Sequence, residues 1–266
     1  MMPSTTANSK KNDVKFAHVI FFSYLCTQNC EHMENVNEQN IVVDESRQSV
    51  ARVLMRNVYL WMTGGLALTG ALAWITANTP ELLNIIFGSQ VVLWGLIIAE
   101  FILVVILSAA INKLSFTAAA IMYILYSALN GVTLSSIFLV YELDSIGQVF
   151  FVTAGAFFIL AFIGTVTKKD LSGLGTFLII ALAGLIIASI VGMIMGRPDS
   201  IWISALGVLI FAGLTVYDAN KIRLLMLDQE TVNEGNMKLA LLGALSLYLD
   251  FINLLLRLLA LFGKKK

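Results

Sequence analysis

Long apolar runs separated by short polar connectors fix the class of this chain before any other feature is considered. About 20 apolar residues at 1.5 Å rise cross the hydrocarbon core of a bilayer. A spanning segment must also satisfy its own backbone polar groups, so such runs form helices. They are legible at 57–77, 90–111, 115–140, 146–166, 172–195, 200–222 and 239–262. The prediction is an all-α membrane protein with seven transmembrane helices. Only 13% of the residues are charged, against about 25% in an ordinary soluble domain. Three regions follow: a polar N-terminal extension over 1–46, the seven-helix domain over 47–263 and a basic tail over 264–266. A formal net charge of zero gives no pull toward nucleic acid.

The first region carries no expected function. Residues 16–26, "FAHVIFFSYLC", are apolar, too short to span, and follow Lys10, Lys11 and Lys15. That resembles a weak signal peptide without a small-residue cleavage site. A start of the protein at Met33 is a simple alternative. Cys26, Cys30 and one nearby histidine, His18 or His32, supply three ligands where structural zinc takes four, so no metal site is expected there.

Basic residues set orientation. Arg47, Arg52 and Arg56 precede the first span, Lys113 follows the second, and Lys168 and Lys169 follow the fourth. The connectors after the first and third spans hold only acids: Glu81, then Glu142 and Asp144. The N-terminus is therefore expected in the cytoplasm. Seven crossings then put the tail outside, in conflict with Lys264, Lys265 and Lys266.

The last span carries a carboxylate at its centre. Its polar positions are Ser246, Asp250, Asn253 and Arg257, preceded by Gly243, at steps of three and four. That spacing puts them on one helical face. A charged group at mid-bilayer costs at least ~2.5–3.5 kcal/mol, so this face meets other helices or water and its carboxylate is paired, hydrated or protonated. Asp218 lies near the end of the sixth span and Glu100 midway along the second. In the third span Tyr123, Tyr126, Asn130 and Thr133 again share a face. Arg257 is about 10 Å along the helix from Asp250, and no other base is expected at matching depth. An acidic, base-poor interior points to cations or protons. Two carboxylates in one site titrate as a unit, and losing a shared proton creates repulsion. Clustered carboxylate oxygens also suit Ca²⁺.

"GALSLYLDFINLLLRLLALFG", "FAGLTVYDANKI" and "TVTKKDLSGLGTF" together resemble the Bax inhibitor family of transmembrane proteins, over residues 47–263. The resemblance implies six helices surrounding a central C-terminal seventh. It implies a pH-sensitive calcium leak pathway, with links to suppression of cell death in eukaryotes. It implies that Asp218 and Asp250 form the pH-sensing pair and touch calcium transiently, as transported ion and not as cofactor. Two departures stand out. Ala219-Asn220 replaces a common Thr-Gln, and the basic latch of some members is reduced, in "SAAINKLS", to Lys113.

The expected function is thus a calcium leak channel gated by protonation of Asp218 and Asp250. The remaining polar positions, Glu100, Asn130, Ser246, Asn253 and Arg257, are candidates for the ion pathway. The alternative is a regulator that binds another membrane protein through the acidic connector holding Asp228, Glu230 and Glu234. An intramembrane aspartyl protease is a lesser alternative. Tyr217-Asp218 fits its first motif, but Leu247-Tyr248-Leu249 stands where close substrate approach needs glycine. The chain is therefore not expected to be an enzyme. The expected place is a bacterial inner membrane.

Overall fold

The computed structural model describes residues 45–169, 171–194 and 201–266. Expectations placed on residues 1–44, including the cysteine and histidine positions, lie outside them, as do residues 195–200. The chain divides into two units, 1–49 and 50–266. Of the first, residues 45–49 are described; they are helical, and Ser49 Oγ donates to Ser46 O at 2.7 Å.

The helices are α1 (Glu45–Ala77), α2 (Pro80–Phe87), α3 (Gln90–Ala110), α4 (Phe116–Leu134), α5 (Ser136–Val140), α6 (Leu143–Val166), α7 (Ser172–Ile194), α8 (Ile201–Leu227) and α9 (Glu234–Phe262). Among the described residues, seven stretches are long and apolar enough to cross a bilayer: α1, α3, α4 with α5, and α6 to α9. The protein is a multi-pass helical membrane protein.

Several helix ends differ from the expected bounds. α1 begins at Glu45, not 57, because Ala51, Leu54 and Val58 are buried on one face and carry the helix past the apolar run. α8 continues to Leu227 and α9 starts at Glu234, so the expected long connector over 223–238 shrinks to residues 228–233. Buried Ile222, Met226 and Ala240 extend both helices. Glu234 is not a loop acid. Its Oε1 accepts from Phe116 N at 2.8 Å, at the start of α4, while Lys238 Nζ donates to Leu114 O at 2.9 Å. Pro80 opens the short helix α2; its missing N–H is no loss in a first turn.

The basic tail has a structural partner. Glu142 N donates to Lys264 O at 2.9 Å, Lys266 N donates to Val140 O at 3.0 Å, and Lys264 Nζ pairs with Glu142 at 2.9 Å. The connector after the third span and the tail after the seventh end on one side if every span crosses. Contact between the two is what seven full crossings require, and Lys264 sits against the acidic connector.

α9 is the most buried span. Its most apolar window is 61% buried, and no other exceeds 33%. Among α2 to α8, it packs most heavily against α8, then α6 and α4. Glycines let helices approach α8 closely. A Cβ at Gly164 on α6 would meet Val216 O, and one at Gly243 on α9 would meet Ile222 Cγ2 at 3.0 Å. In lipid, close backbone approach of this kind carries much of the association between helices.

Candidate functional site

The polar stripes of α8 and α9 meet across a cavity of about 450 Å³ whose third wall is α7. From α8 come Asp218 and Lys221, one turn apart; from α9 come Ser246, Asp250, Asn253 and Arg257. The α7 wall is apolar: Ile179, Leu182, Leu185 and Ile186. Helical periodicity explains the gathering, since positions three or four apart share a face. Asp250 is 5% exposed, and its Oδ2 is buried with no hydrogen-bond partner among the described residues. Asp218 and Asp250 lie within electrostatic reach of each other. Asn253 turns its amide nitrogen onto Leu249 O at 2.8 Å.

The interior is not base-poor, contrary to expectation. Lys221 shares the cavity with Asp218 and acts on it electrostatically. Arg257 lines the same cavity from the other end of the α9 stripe. Lys113, the expected latch, is exposed on the 3-10 turn Ile111–Lys113 and is not among the lining residues. Lys221 is the base beside Asp218. Its position three after Asp218 in "YDANK" was a usable signal, because one turn of helix brings the two together.

Glu100 and Asn130 are not part of this cavity. They belong to a second polar cluster, where α9 faces α1, α3 and α4. Glu100 accepts from Thr133 Oγ1 and, at 3.4 Å, from Asn130 Nδ2. Asn130 Oδ1 accepts from Tyr248 OH at 3.1 Å, and Tyr248 OH meets Thr69 Oγ1 at 2.7 Å. The rings of Tyr123 and Tyr126 stand edge-on to Tyr248, with centroids at 6.2 and 5.7 Å. Tyr248 is two residues from Asp250, about 200° around the helix. The expected single ion pathway thus divides between opposite faces of α9. Ser246, Asn253 and Arg257 go with the aspartates, and Glu100 and Asn130 go with Tyr248. Thr69 is one of three threonines on α1, with Thr63 and Thr76, and nothing in the sequence marks it as the one that meets Tyr248.

The Tyr248 cluster reads as a structural tie. Tyr248→Phe is expected to cost about 1–3 kcal/mol, because it leaves buried acceptors and a hydroxyl short of partners. Thermal unfolding in detergent checks this. An unchanged midpoint would show that the hydroxyl carries no such weight.

The family model described as "Inhibitor of apoptosis-promoting Bax1" matches residues 51–266. The chain is similar to the inner membrane protein YbhL of Escherichia coli (strain K12), 46% identical over 214 residues, covering 80% of this chain and 92% of the relative. An "Uncharacterized protein" of Borreliella burgdorferi is 39% identical over 227 residues, 82% of this chain and 97% of the relative. An "Uncharacterized membrane protein" of Streptococcus pyogenes serotype M1 is 39% identical over 185 residues, 69% of this chain and 80% of the relative.

Proposed function

This chain belongs to the Bax inhibitor family of multi-pass membrane proteins, and from that premise we propose that it is a pH-sensitive calcium leak channel. Flux is gated by the protonation state of Asp218 and Asp250. The observation that carries the reading is the shared cavity: two carboxylates from adjacent helices inside the span, one with a buried oxygen that no donor meets. Such a pair binds a proton jointly, and the number of protons it holds decides whether its members attract or repel. α8 and α9 carry one acid each, so that force acts between two helices.

Calcium is cargo in this reading. Asp218, Asp250, Ser246 and Asn253 offer side-chain oxygens around the cavity. A tight calcium site takes six to eight oxygens, and four side chains suit brief contact in transit. No catalytic step and no cofactor is assigned. The regulator reading loses ground, because the connector it relied on is residues 228–233 and Glu234 is engaged at the start of α4. The proposed location is a bacterial inner membrane, supported by the name of the Escherichia coli relative. The N-terminus is placed in the cytoplasm on the alternation of basic and acidic connectors.

The test is calcium entry into proteoliposomes holding the purified full chain, read with a trapped dye at several pH values. Protein-dependent entry that changes with pH supports the proposal. Entry no faster than in empty vesicles at every pH removes it.

A further inference from the structure

The aspartate pair is bracketed by cations. Lys221 lies one turn from Asp218 along α8, and Arg257 lies two turns from Asp250 along α9, and all four line one cavity. With every group ionised the cavity carries two negative and two positive charges. This sets a condition on any ion that enters, and it differs for divalent and monovalent cations.

Arg257 is held in place by the backbone of the neighbouring helix. Gly207 on α8 is buried, and a Cβ there would fall 2.8 Å from Arg257 Cδ and 3.0 Å from its Cγ and Nε. The stem of the arginine therefore runs across bare backbone, in space that any larger residue would occupy. Among the described residues Arg257 forms no ion pair. Its charge is not cancelled by an adjacent carboxylate and acts on the cavity itself.

We infer that Arg257 is a selectivity-determining residue: a fixed positive charge that disfavours divalent cations in the cavity and so sets the ratio of calcium to potassium passage. The inference rests on the leak-channel reading and deepens it. The repulsion scales with the charge of the ion, so Arg257 opposes calcium twice as strongly as potassium. At about 10 Å and an effective dielectric near 20, removing one unit of charge raises the calcium-to-potassium ratio by roughly tenfold. Lys221 opposes divalents from the other side, but beside Asp218 its field is partly offset.

The experiment measures calcium and potassium flux in the same proteoliposome preparation for the wild type, Arg257→Gln, Arg257→Met and Arg257→Lys. The ratio is expected to rise by roughly tenfold in the glutamine and methionine variants and to stay within about twofold of wild type in the lysine variant. Two uncharged variants of different shape guard against one that fails to fold, which size-exclusion profiles in detergent would reveal. A wild-type ratio in either folded uncharged variant overturns the inference. So does a lysine variant that rises with them, since shape would then be the cause. A wild type that passes no calcium at any pH removes the leak reading and this inference with it. A shifted ratio with a flat pH profile supports this inference and removes only the gating by the aspartates.

Discussion

Asp250→Asn and Asp218→Asn are each expected to flatten the pH profile of calcium flux. Asparagine has nearly the shape of a protonated aspartic acid and never ionises. Each variant therefore holds one half of the pair at zero charge at every pH, and its flux should stay near the level that the wild type reaches only at the acid end. A single titrating proton changes occupancy about tenfold per pH unit, so a wild-type step of that order should shrink to about twofold or less. The other charged groups facing the pair are Lys221 and Arg257, with Tyr217 the remaining ionisable one; the α7 wall contributes only apolar side chains. Asp228→Asn is the control. Asp228 is exposed in the connector after α8, outside the cavity, and its loss should leave the profile as it was. Two aspartate variants with the wild-type profile would show that the sensor lies elsewhere.

The spans were readable because the bilayer fixes their length; their ends were not. α1, α8 and α9 each run past the apolar run into sequence that reads as polar. There the helix is held by a few buried positions, such as Leu54, Met226 and Ala240, and not by hydropathy. The Asp250 stripe was readable from periodicity alone. Periodicity says which residues share a face, but not which helix meets it. That is why Glu100 and Asn130 were grouped with the aspartates, although Tyr248 draws them to the opposite face of α9. Lys221 was overlooked for a related reason. A base near the polar end of a span reads as a topology signal, and that reading masked its i+3 relation to Asp218. The path of Arg257 across Gly207 had no sequence signal, because it joins two helices at positions far apart in the chain.

The position of α8 against α6 underlies all of this, and Gly164 is a weak point in it. Gly164 on α6 faces Val216 O, and a Cβ at that position would also fall 2.8 Å from Ala219 Cβ. Beside it, Asn220 Nδ2 donates to Gly164 O at 3.1 Å and to Thr167 O at 2.6 Å. Val216, Ala219 and Asn220 are not among the residues that line the cavity. One side of α8 is thus clamped to α6 while another presents Asp218. A side chain at 164 forces the helices apart and stretches both Asn220 bonds. Overpacking costs about 1–3 kcal/mol, and buried groups left without partners add about 1–3 kcal/mol each. Gly164→Leu is therefore expected to lose roughly 3–9 kcal/mol, a large share of a typical folding stability of about 5–15 kcal/mol. The measurement is thermal unfolding in detergent, beside Gly155→Ala. Gly155 lies on the same helix, exposed, and a Cβ there meets nothing within 4 Å. That variant should match the wild type or exceed it slightly, because alanine favours helix over glycine by about 0.5–1 kcal/mol. If Gly164→Leu unfolds with the wild type and Gly155→Ala, the clamp is not what positions α8, and Asp218 must be aimed at the cavity by its contacts with α7 and α9 alone.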